Sequence, residues 1–452
     1  MTEAYDVLIQ GGVVVTGAGM VRADVGIRGE TIAAVAAGLP TEGTRRVVGA
    51  SGKVVLPGCI DVHTHPVYVD DIHDTSITAL FGGTTTTVHY AYARPGMRVL
   101  DTIIKFRDDG LANSITDFGL HAGLFDVANQ LVELPAAFKL GVTTFKVFLA
   151  YAKLKWMTDD YWLMATLDVV GREGGLVAVH AENGLATDYL EDKYNRLGLS
   201  PQEVFTATRP DVLEAEAINR SIAMARVADC AVYIPHVSAA KALAPIRQAK
   251  AQGQVVYAET CPQYLTLTEE ILWKRRSQAK VGPPLRTAED NEGLWRGIQE
   301  GIIDTVASDH APKPKEVGDD FFEAPYGSPQ AETILVVTHD EGVNRGRISL
   351  PRLVQLLSET PAKIMGYYPK KGTIAPGSDA DLVLFDPAEP FTIAHANQHS
   401  KVNYTLYEGR ECLGRPVWVM QHGRVLVEDG QLVGTAGHAR YLPTQAAVKG
   451  LS

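Results

Sequence analysis

Short apolar runs alternate with longer amphipathic stretches through the middle of the chain, over residues 54–365. The apolar runs are typical of buried strands and the amphipathic stretches of helices. Eight strand-like runs, each leading toward a helical stretch, end at His65, His89, His121, Lys146, His180, His236, Thr260 and Asp309. This alternation predicts a closed parallel (β/α)8 barrel of the TIM type. A doubly wound open sheet is the alternative, but no Gly-rich phosphate turn opens the first helix.

Both ends of the chain have a different pattern, with short strands, glycine turns and no helical period. Residues 5–16 and 24–36 have this pattern near the start, and residues 381–386 and 417–432 near the end. Runs of this kind are typical of hairpins. We therefore expect residues 1–53 and 366–452 to form one small β-sandwich domain, with residues 54–365 inserted as the barrel.

Composition narrows the class of protein. Of the 452 residues, 46% are hydrophobic and 21% are charged, as in ordinary globular proteins. The net charge of -11 argues against nucleic acid or an anionic membrane surface as a partner. No apolar run is long enough to span a membrane, and the first residues, M-T-E-A-Y-D-V, do not resemble a signal peptide. The four cysteines are far apart in sequence, which predicts reduced thiols and a cytoplasmic location.

Chemically reactive side chains follow five of the predicted barrel strands. These are His63, His65, Lys146, His180, His236 and Asp309. Strand ends of a (β/α)8 barrel meet at one face, where active sites lie. Residues two apart on a strand point to the same side, so His63 and His65 project together. Imidazoles and a carboxylate gathered at one face predict a metal site.

Each of these residues also has an ordinary structural explanation. Lys146 could extend to solvent, His180 or His236 could be a core histidine, and Asp309 could cap a helix. The convergence of all of them on one face favours the metal interpretation. His89 and His121 also end predicted strands, and we interpret both as structural.

With these residues the chain resembles the amidohydrolase superfamily, and within it the hydantoinase/dihydropyrimidinase family of cyclic amidases. Further shared motifs are F-G-G-T-T-T, A-E-T-C-P-Q-Y-L, G-P-P-L-R, K-G-T-I-A-P-G-S-D-A-D-L-V and G-Q-L-V-G-T-A-G. The resemblance covers nearly the whole chain. It implies a homotetramer or a dimer, with the C-terminal tail helping to hold the subunits together.

The resemblance implies two divalent metal ions per subunit. One would be held by His63, His65 and Asp309, and the other by His180 and His236. Lys146 would bridge them as an N-carboxylated lysine made from CO2. A protonated lysine would repel two dications, whereas a carbamate adds negative charge and two oxygens. Zn²⁺ is the expected ion, with Mn²⁺, Co²⁺ or Fe²⁺ as alternatives.

The resemblance also implies a reaction and a substrate class. A metal-bound hydroxide would attack the carbonyl of a small cyclic amide or imide, giving an N-carbamoyl amino acid or a β-carbamoyl analogue. Tyr151 would donate a hydrogen bond to the developing oxyanion, and Asp309 would act as general base and then acid. Backbone groups at Gly282 and Tyr326 would hold the ring. Relatives often have small polar residues at these two positions, so the preferred ring size and substituent stay open.

The loop after His65 is short for this family. Tyr68, Val69 and the region of Tyr92 either shape the pocket for the ring substituent or pack on neighbouring loops. Among other cyclic amidohydrolases, a dihydroorotase is disfavoured because Val67 stands where an arginine is expected. Allantoinase stays open as an alternative. A non-catalytic scaffold would have lost metal ligands, and a simple β/α binding protein would not need Lys146 or Asp309 at strand ends.

Overall fold

The computed structural model describes residues 4–445. The first three and last seven residues of the predicted terminal domain, 1–3 and 446–452, lie outside this range. The strands are β1 (Val7–Thr16), β2 (Gly19–Arg28), β3 (Thr31–Ala36), β4 (Arg46–Gly49), β5 (Val54–Pro57), β6 (Cys59–Thr64), β7 (Thr84–Ala93), β8 (Asp117–Leu124), β9 (Thr144–Phe148), β10 (Leu176–His180), β11 (Ala231–Ile234), β12 (Val256–Thr260), β13 (Thr305–Val306), β14 (Leu382–Ile393), β15 (Arg410–Gln421), β16 (Arg424–Glu428) and β17 (Gln431–Leu432).

The α-helices lie mainly between the barrel strands. They are α1 (Ile72–Phe81), α2 (Val99–Asn113), α3 (Val127–Gln130), α4 (Leu134–Lys139), α5 (Asp160–Arg172), α6 (Gly184–Arg196), α7 (Pro201–Thr208), α8 (Asp211–Val227), α9 (Leu243–Ala251), α10 (Pro262–Thr266), α11 (Ile271–Arg275), α12 (Ala288–Gln299), α13 (Ile334–Thr338), α14 (Leu350–Val354) and α15 (Thr360–Met365). Within residues 4–445, none of these helices is both long and apolar enough to cross a membrane.

Strands β6 to β13 form an eight-stranded parallel sheet in sequential order. The sheet closes where the segment after β13 meets the end of β6. There the His65 N–H donates to the His310 carbonyl at 2.9 Å, and the His310 N–H donates to the His63 carbonyl at 3.3 Å. This closure confirms the predicted (β/α)8 barrel and places the end of β6 beside the segment that follows β13.

Alternation along β10 explains how the strands carry side chains to the site. Leu176 and Ala178 pack in the cluster that fills the barrel interior, while Val177 and Val179 pack in the cluster that includes the surrounding helices. Side chains of a strand alternate between its two faces. His180 therefore continues the inward-facing set and lies at the end of the strand where the interior opens.

The two ends of the chain form a separate, mostly antiparallel sheet of nine strands, which confirms the predicted small β domain. Its order is β17-β16-β15-β14-β5-β1-β2-β3, with β4 pairing with another part of β1. Strand β5, which the apolar pattern assigned to the barrel, pairs with β1 and β14 in this sheet. Only Gly58 separates β5 from β6, so one apolar run supplies a strand to each domain.

A buried lysine joins the two domains. The Lys371 ammonium contacts Asp117 of barrel strand β8 at 2.7 Å and Asp381, just before β14, at 2.5 Å. His422 also contacts Asp117, at 2.7 Å. Charges buried in this way need partners, so these contacts fix the small domain against the barrel end opposite to the site.

Candidate active site

Three of the predicted metal ligands form one compact group. The Asp309 carboxylate oxygen lies 3.2 Å from Nε2 of His63 and 3.0 Å from Nε2 of His65. The ligand atoms of all three residues lie within 4.8 Å of one another. Both imidazoles are buried, while Asp309 keeps a partly exposed side chain. The group therefore has metal-binding atoms on one side and access to a small molecule on the other.

Lys146 lies directly beside this group. Its Nζ is 3.0 Å from His63 Nε2 and 4.4 Å from the centre of the Tyr90 ring. The side chain is buried at 2% exposure, and no carboxylate forms an ion pair with it among residues 4–445. Burial lowers the pKa of Lys146 to about 8. With this pKa about a tenth of the amine is neutral, and hence nucleophilic, at pH 7.

His180 and His236 form a pair next to the three-residue group without joining it. Their ring centroids are 4.6 Å apart, and the His236 centroid is 5.3 Å from that of His63. Nε2 of His180 is bound to Glu182 at 2.8 Å, which leaves Nδ1 as its free ligand atom. Burial lowers the pKa values of His63, His65 and His236 well below the usual range. Neutral imidazoles have a lone pair available for a cation.

Two residues to which the sequence pattern assigned no role at the metal site orient these imidazoles. The Glu259 carboxylate accepts a hydrogen bond from His63 Nδ1 at 2.6 Å, and the Tyr92 hydroxyl oxygen accepts one from His65 Nδ1 at 2.8 Å. Glu259 is fully buried, and burial raises its pKa to about 8. In both histidines Nδ1 is engaged and Nε2 points toward Asp309. Partners of this kind fix ring orientation and raise ligand basicity.

Glu259 has a signal in the sequence, because it is an acid inside the apolar strand V-Y-A-E-T. The contact between Tyr92 and His65 has no signal in the sequence, because the two residues lie at the ends of different strands and meet only in the folded barrel. The two histidines interpreted as structural have internal partners. His89 contacts the hydroxyls of Thr64 and Thr87, and His121 Nε2 donates to the Val62 carbonyl at 3.0 Å.

Three residues of the predicted site have a strained backbone conformation. Tyr151, His236 and Asp309 have φ angles of 65°, 44° and 52°. These values lie in the left-handed region, which costs a residue with a side chain about 1–2 kcal/mol. Surrounding contacts hold all three residues in this conformation, and each directs its side chain into the site from a strand end or the loop that follows.

Tyr151, Gly282 and Tyr326 lie together at one side of the metal-ligand group. The rings of Tyr151 and His180 are 5.0 Å apart, and those of Tyr151 and Tyr326 are 5.5 Å apart. A Cβ on Gly282 would lie 2.7 Å from the Tyr151 hydroxyl oxygen and 3.1 Å from Tyr326. The absence of a side chain at Gly282 therefore leaves the space that the Tyr151 hydroxyl occupies.

A buried arginine, which sequence reasoning also missed, supports this side. Arg209 donates from Nη2 to the Tyr326 hydroxyl at 2.7 Å, and its Nη1 lies 3.5 Å from Glu182. Glu182 in turn accepts from His180. The arrangement connects the second histidine pair to the tyrosine side of the site through charged contacts.

Comparisons with known proteins agree with this geometry. The sequence profile of the Amidohydrolase family matches residues 54–426. A D-hydantoinase of Ralstonia pickettii is 38% identical, with 97% of this chain and 98% of that protein aligned. The crystal structure of dihydropyrimidinase from Brevibacillus agri NCHU1002 superposes with a TM-score of 0.93 at 36% identity, covering 98% of this chain and 99% of that one. L-Hydantoinase (dihydropyrimidinase) from Arthrobacter aurescens superposes with a TM-score of 0.92 at 31% identity, covering 98% of this chain and 100% of that one.

Proposed function

The chain belongs to the amidohydrolase family, within its hydantoinase and dihydropyrimidinase group, and from this premise we propose that it hydrolyses the ring of a cyclic amide or imide. It is a hydrolase of C–N bonds in such rings. The observation that carries the proposal is the meeting of His63, His65 and Asp309 within 4.8 Å, with the amine of Lys146 beside them.

The donor set fits divalent metal ions. Neutral imidazoles and a carboxylate are ordinary ligands of Zn²⁺, which we propose as the native ion, with Mn²⁺, Co²⁺ or Fe²⁺ as alternatives. His63, His65 and Asp309 would hold one ion. His180 and His236 would hold a second.

We propose that Lys146 is carboxylated and contributes to both metal positions. Its neutral amine attacks the carbon of CO2, a C–N bond forms, and one proton leaves to solvent, which gives an anionic carbamate. The lowered pKa and the lack of an ion-pair partner among residues 4–445 support this modification. A charged ammonium would instead oppose cation binding by the surrounding imidazoles.

Two side chains carry the proton and charge movements. When bound, the metals would supply hydroxide at neutral pH and polarise the ring carbonyl. The Tyr151 hydroxyl donates a hydrogen bond to the carbonyl oxygen as negative charge develops there. Asp309 takes the proton of the attacking nucleophile and delivers it to the leaving ring nitrogen. The product is an N-carbamoyl amino acid or its β-carbamoyl analogue.

Backbone groups at Gly282 and Tyr326 would hold the ring. The positions of the two residues support this role, because both lie against Tyr151. Glu259 and Tyr92 would keep the imidazoles in place as the ring is bound, since each occupies the Nδ1 of a metal-ligating histidine.

The chain is further proposed to form a homotetramer or dimer in the cytoplasm, with no nucleic-acid or membrane partner. Association of subunits is supported by apolar side chains that are exposed on the small domain. These are Met20, Val21 and Val47, with exposed fractions of 57%, 56% and 45%. The four cysteines are free and buried, which suits a reducing compartment.

A substrate panel tests the activity. The purified, metal-loaded protein is incubated with substituted hydantoins, dihydrouracil, allantoin and dihydroorotate, and ring opening is followed by loss of ultraviolet absorbance and by mass. We expect turnover of hydantoins or dihydrouracil. Turnover of allantoin alone would move the assignment to allantoinase, and no turnover of any ring would contradict the proposal.

A further inference from the structure

A lysine at the entrance of the site forms no ion pair with any of residues 4–445. Lys313 follows the strand end that carries Asp309, and its ammonium lies 3.9 Å from the centre of the Tyr68 ring. The Tyr68 ring is in turn 6.4 Å from that of His65. A hydrogen bond from the Val69 N–H to the Pro312 carbonyl, at 3.3 Å, joins the two loops. Lys313 therefore lies one aromatic ring away from a proposed metal ligand.

The contacts of Lys313 do not satisfy its charge. The side chain is half-buried, and among residues 4–445 its ammonium has no ion pair and donates no hydrogen bond. Arg94, at the end of β7, is exposed and also has no ion-pair partner within that range. Burial, followed by the charges of Arg94 and Lys280, lowers the pKa of Lys313 to about 8 against the opposing effect of Asp309. The cations thus lie near enough to repel one another.

Other cations near the entrance already have hydrogen-bond acceptors. Lys280 donates to the Phe322 carbonyl at 2.7 Å, and Lys315 donates to the Lys280 carbonyl at 3.0 Å. Arg209 contacts Tyr326 and a carboxylate, as described above. Within residues 4–445, Lys313 and Arg94 are therefore the cations near Tyr68 whose side chains have neither an ion pair nor a hydrogen-bond acceptor, in a protein whose net charge is -11. A positive entrance on an acidic protein attracts small anions.

We propose, on the basis of the ring-opening function above, that the substrate ring carries a substituent ending in a carboxylate, which Lys313 binds with Arg94 beside it. The Tyr68 ring would lie along the alkyl part of this substituent. A carboxylate would give Lys313 the charged acceptor that the chain does not supply and would relieve the repulsion between the cations.

Two substrates of equal shape test this inference. The hydantoin derived from glutamic acid ends in a carboxylate, and the one derived from glutamine ends in a neutral amide. We expect kcat/KM to be at least about tenfold higher for the acid, since a hydrogen bond to a charged group is worth about tenfold or more. Lys313→Met should lower kcat/KM for the acid by about 10- to 100-fold through KM and leave the amide nearly unchanged. Lys313→Arg should keep most of the preference.

A matched control and a binding measurement separate the possible failures. Lys139→Met changes an exposed lysine at the end of α4, just before β9 begins, and should leave both substrates unaffected. Calorimetric titration with N-carbamoylglutamate and N-carbamoylglutamine measures the charge preference without turnover. Ring opening with equal use of acid and amide, or an equal loss for both in Lys313→Met, would overturn the anion site alone. Tighter binding of the acid by a protein that opens no ring would instead overturn the proposed function and retain the anion site.

Discussion

Glu259 offers a sharp test of how the metal ligands are held, because Glu259→Gln changes its charge with almost no change in volume. One carboxylate oxygen accepts from His63 Nδ1 at 2.6 Å and from the His236 N–H at 3.0 Å. The other accepts from the Tyr233 hydroxyl at 2.7 Å, which also lies 2.9 Å from the Thr305 hydroxyl. A glutamine can keep its oxygen toward the two histidines and its amide toward Tyr233, which only needs to rotate its hydroxyl.

Burial raises the pKa of Glu259 to about 8, but cations bound beside His63 favour its ionised form, so the expected effect is mainly the loss of negative charge behind His63 in the metal-bound state. Removing a partner of this kind costs about 10- to 100-fold in metal affinity. At about 1.4 kcal/mol per factor of ten, the loss is about 1.4–2.8 kcal/mol. Since the hydrogen-bond geometry is preserved, we expect the fold to keep its thermal stability to within a few degrees, so that weaker metal binding is not a consequence of unfolding.

The assay is competition for Zn²⁺ between the protein and a chelating indicator, with circular dichroism to check the fold. Glu292→Gln is the control, because Glu292 is an exposed acid on α12 paired only with Arg347 among the described residues. It should bind metal like the unaltered protein. If Glu259→Gln also bound metal with unaltered affinity, the carboxylate would have no part in preparing His63 as a ligand.

Three further changes probe other parts of the account. Tyr151→Phe should lower kcat by about 10²–10³-fold with unchanged metal content, and equal loss of both would mean that the hydroxyl does not act on the oxyanion. Gly282→Ala places a Cβ 2.7 Å from that hydroxyl, so kcat should fall by up to about 100-fold. The control Gly49→Ala adds a Cβ with nothing within 4 Å and should leave kcat unchanged. A Gly282→Ala enzyme with full activity would contradict this crowding. Lys371→Met leaves Asp117 without its main cation and should lower the free energy of unfolding by about 3–5 kcal/mol in a denaturant titration. An unchanged midpoint would refute the role of Lys371 as the link between the domains.

Much of this architecture is predictable because the C-terminal ends of all strands in a closed parallel barrel lie on one face. An imidazole after the apolar run L-V-A-V continues the inward-facing set, so His180 could be placed from alternation alone. Helix ends were also predictable where a cap is present. Asp159 accepts from the N–H of Trp162 and caps the start of α5 at Asp160.

The remaining features depend on tertiary contacts. The run around Gly58 is apolar on both sides, and hydrophobicity does not reveal that β5 pairs with β14, more than three hundred residues away in sequence. Strand β13 has only two residues, and Asp309, three residues after its end, takes a positive φ of 52°. The position of Lys313 over Tyr68 depends on how two loops meet, which no spacing in either loop encodes.

The most direct test of the central claim is the metal content and ring-opening activity of the protein and of its Lys146→Ala variant, measured together. The account predicts about two bound metal ions per chain and turnover of a hydantoin or dihydropyrimidine for the unaltered protein, with both lost or strongly reduced in the variant. Full metal content and full activity in Lys146→Ala would contradict the claim that this buried amine, as a carbamate, completes the metal centre.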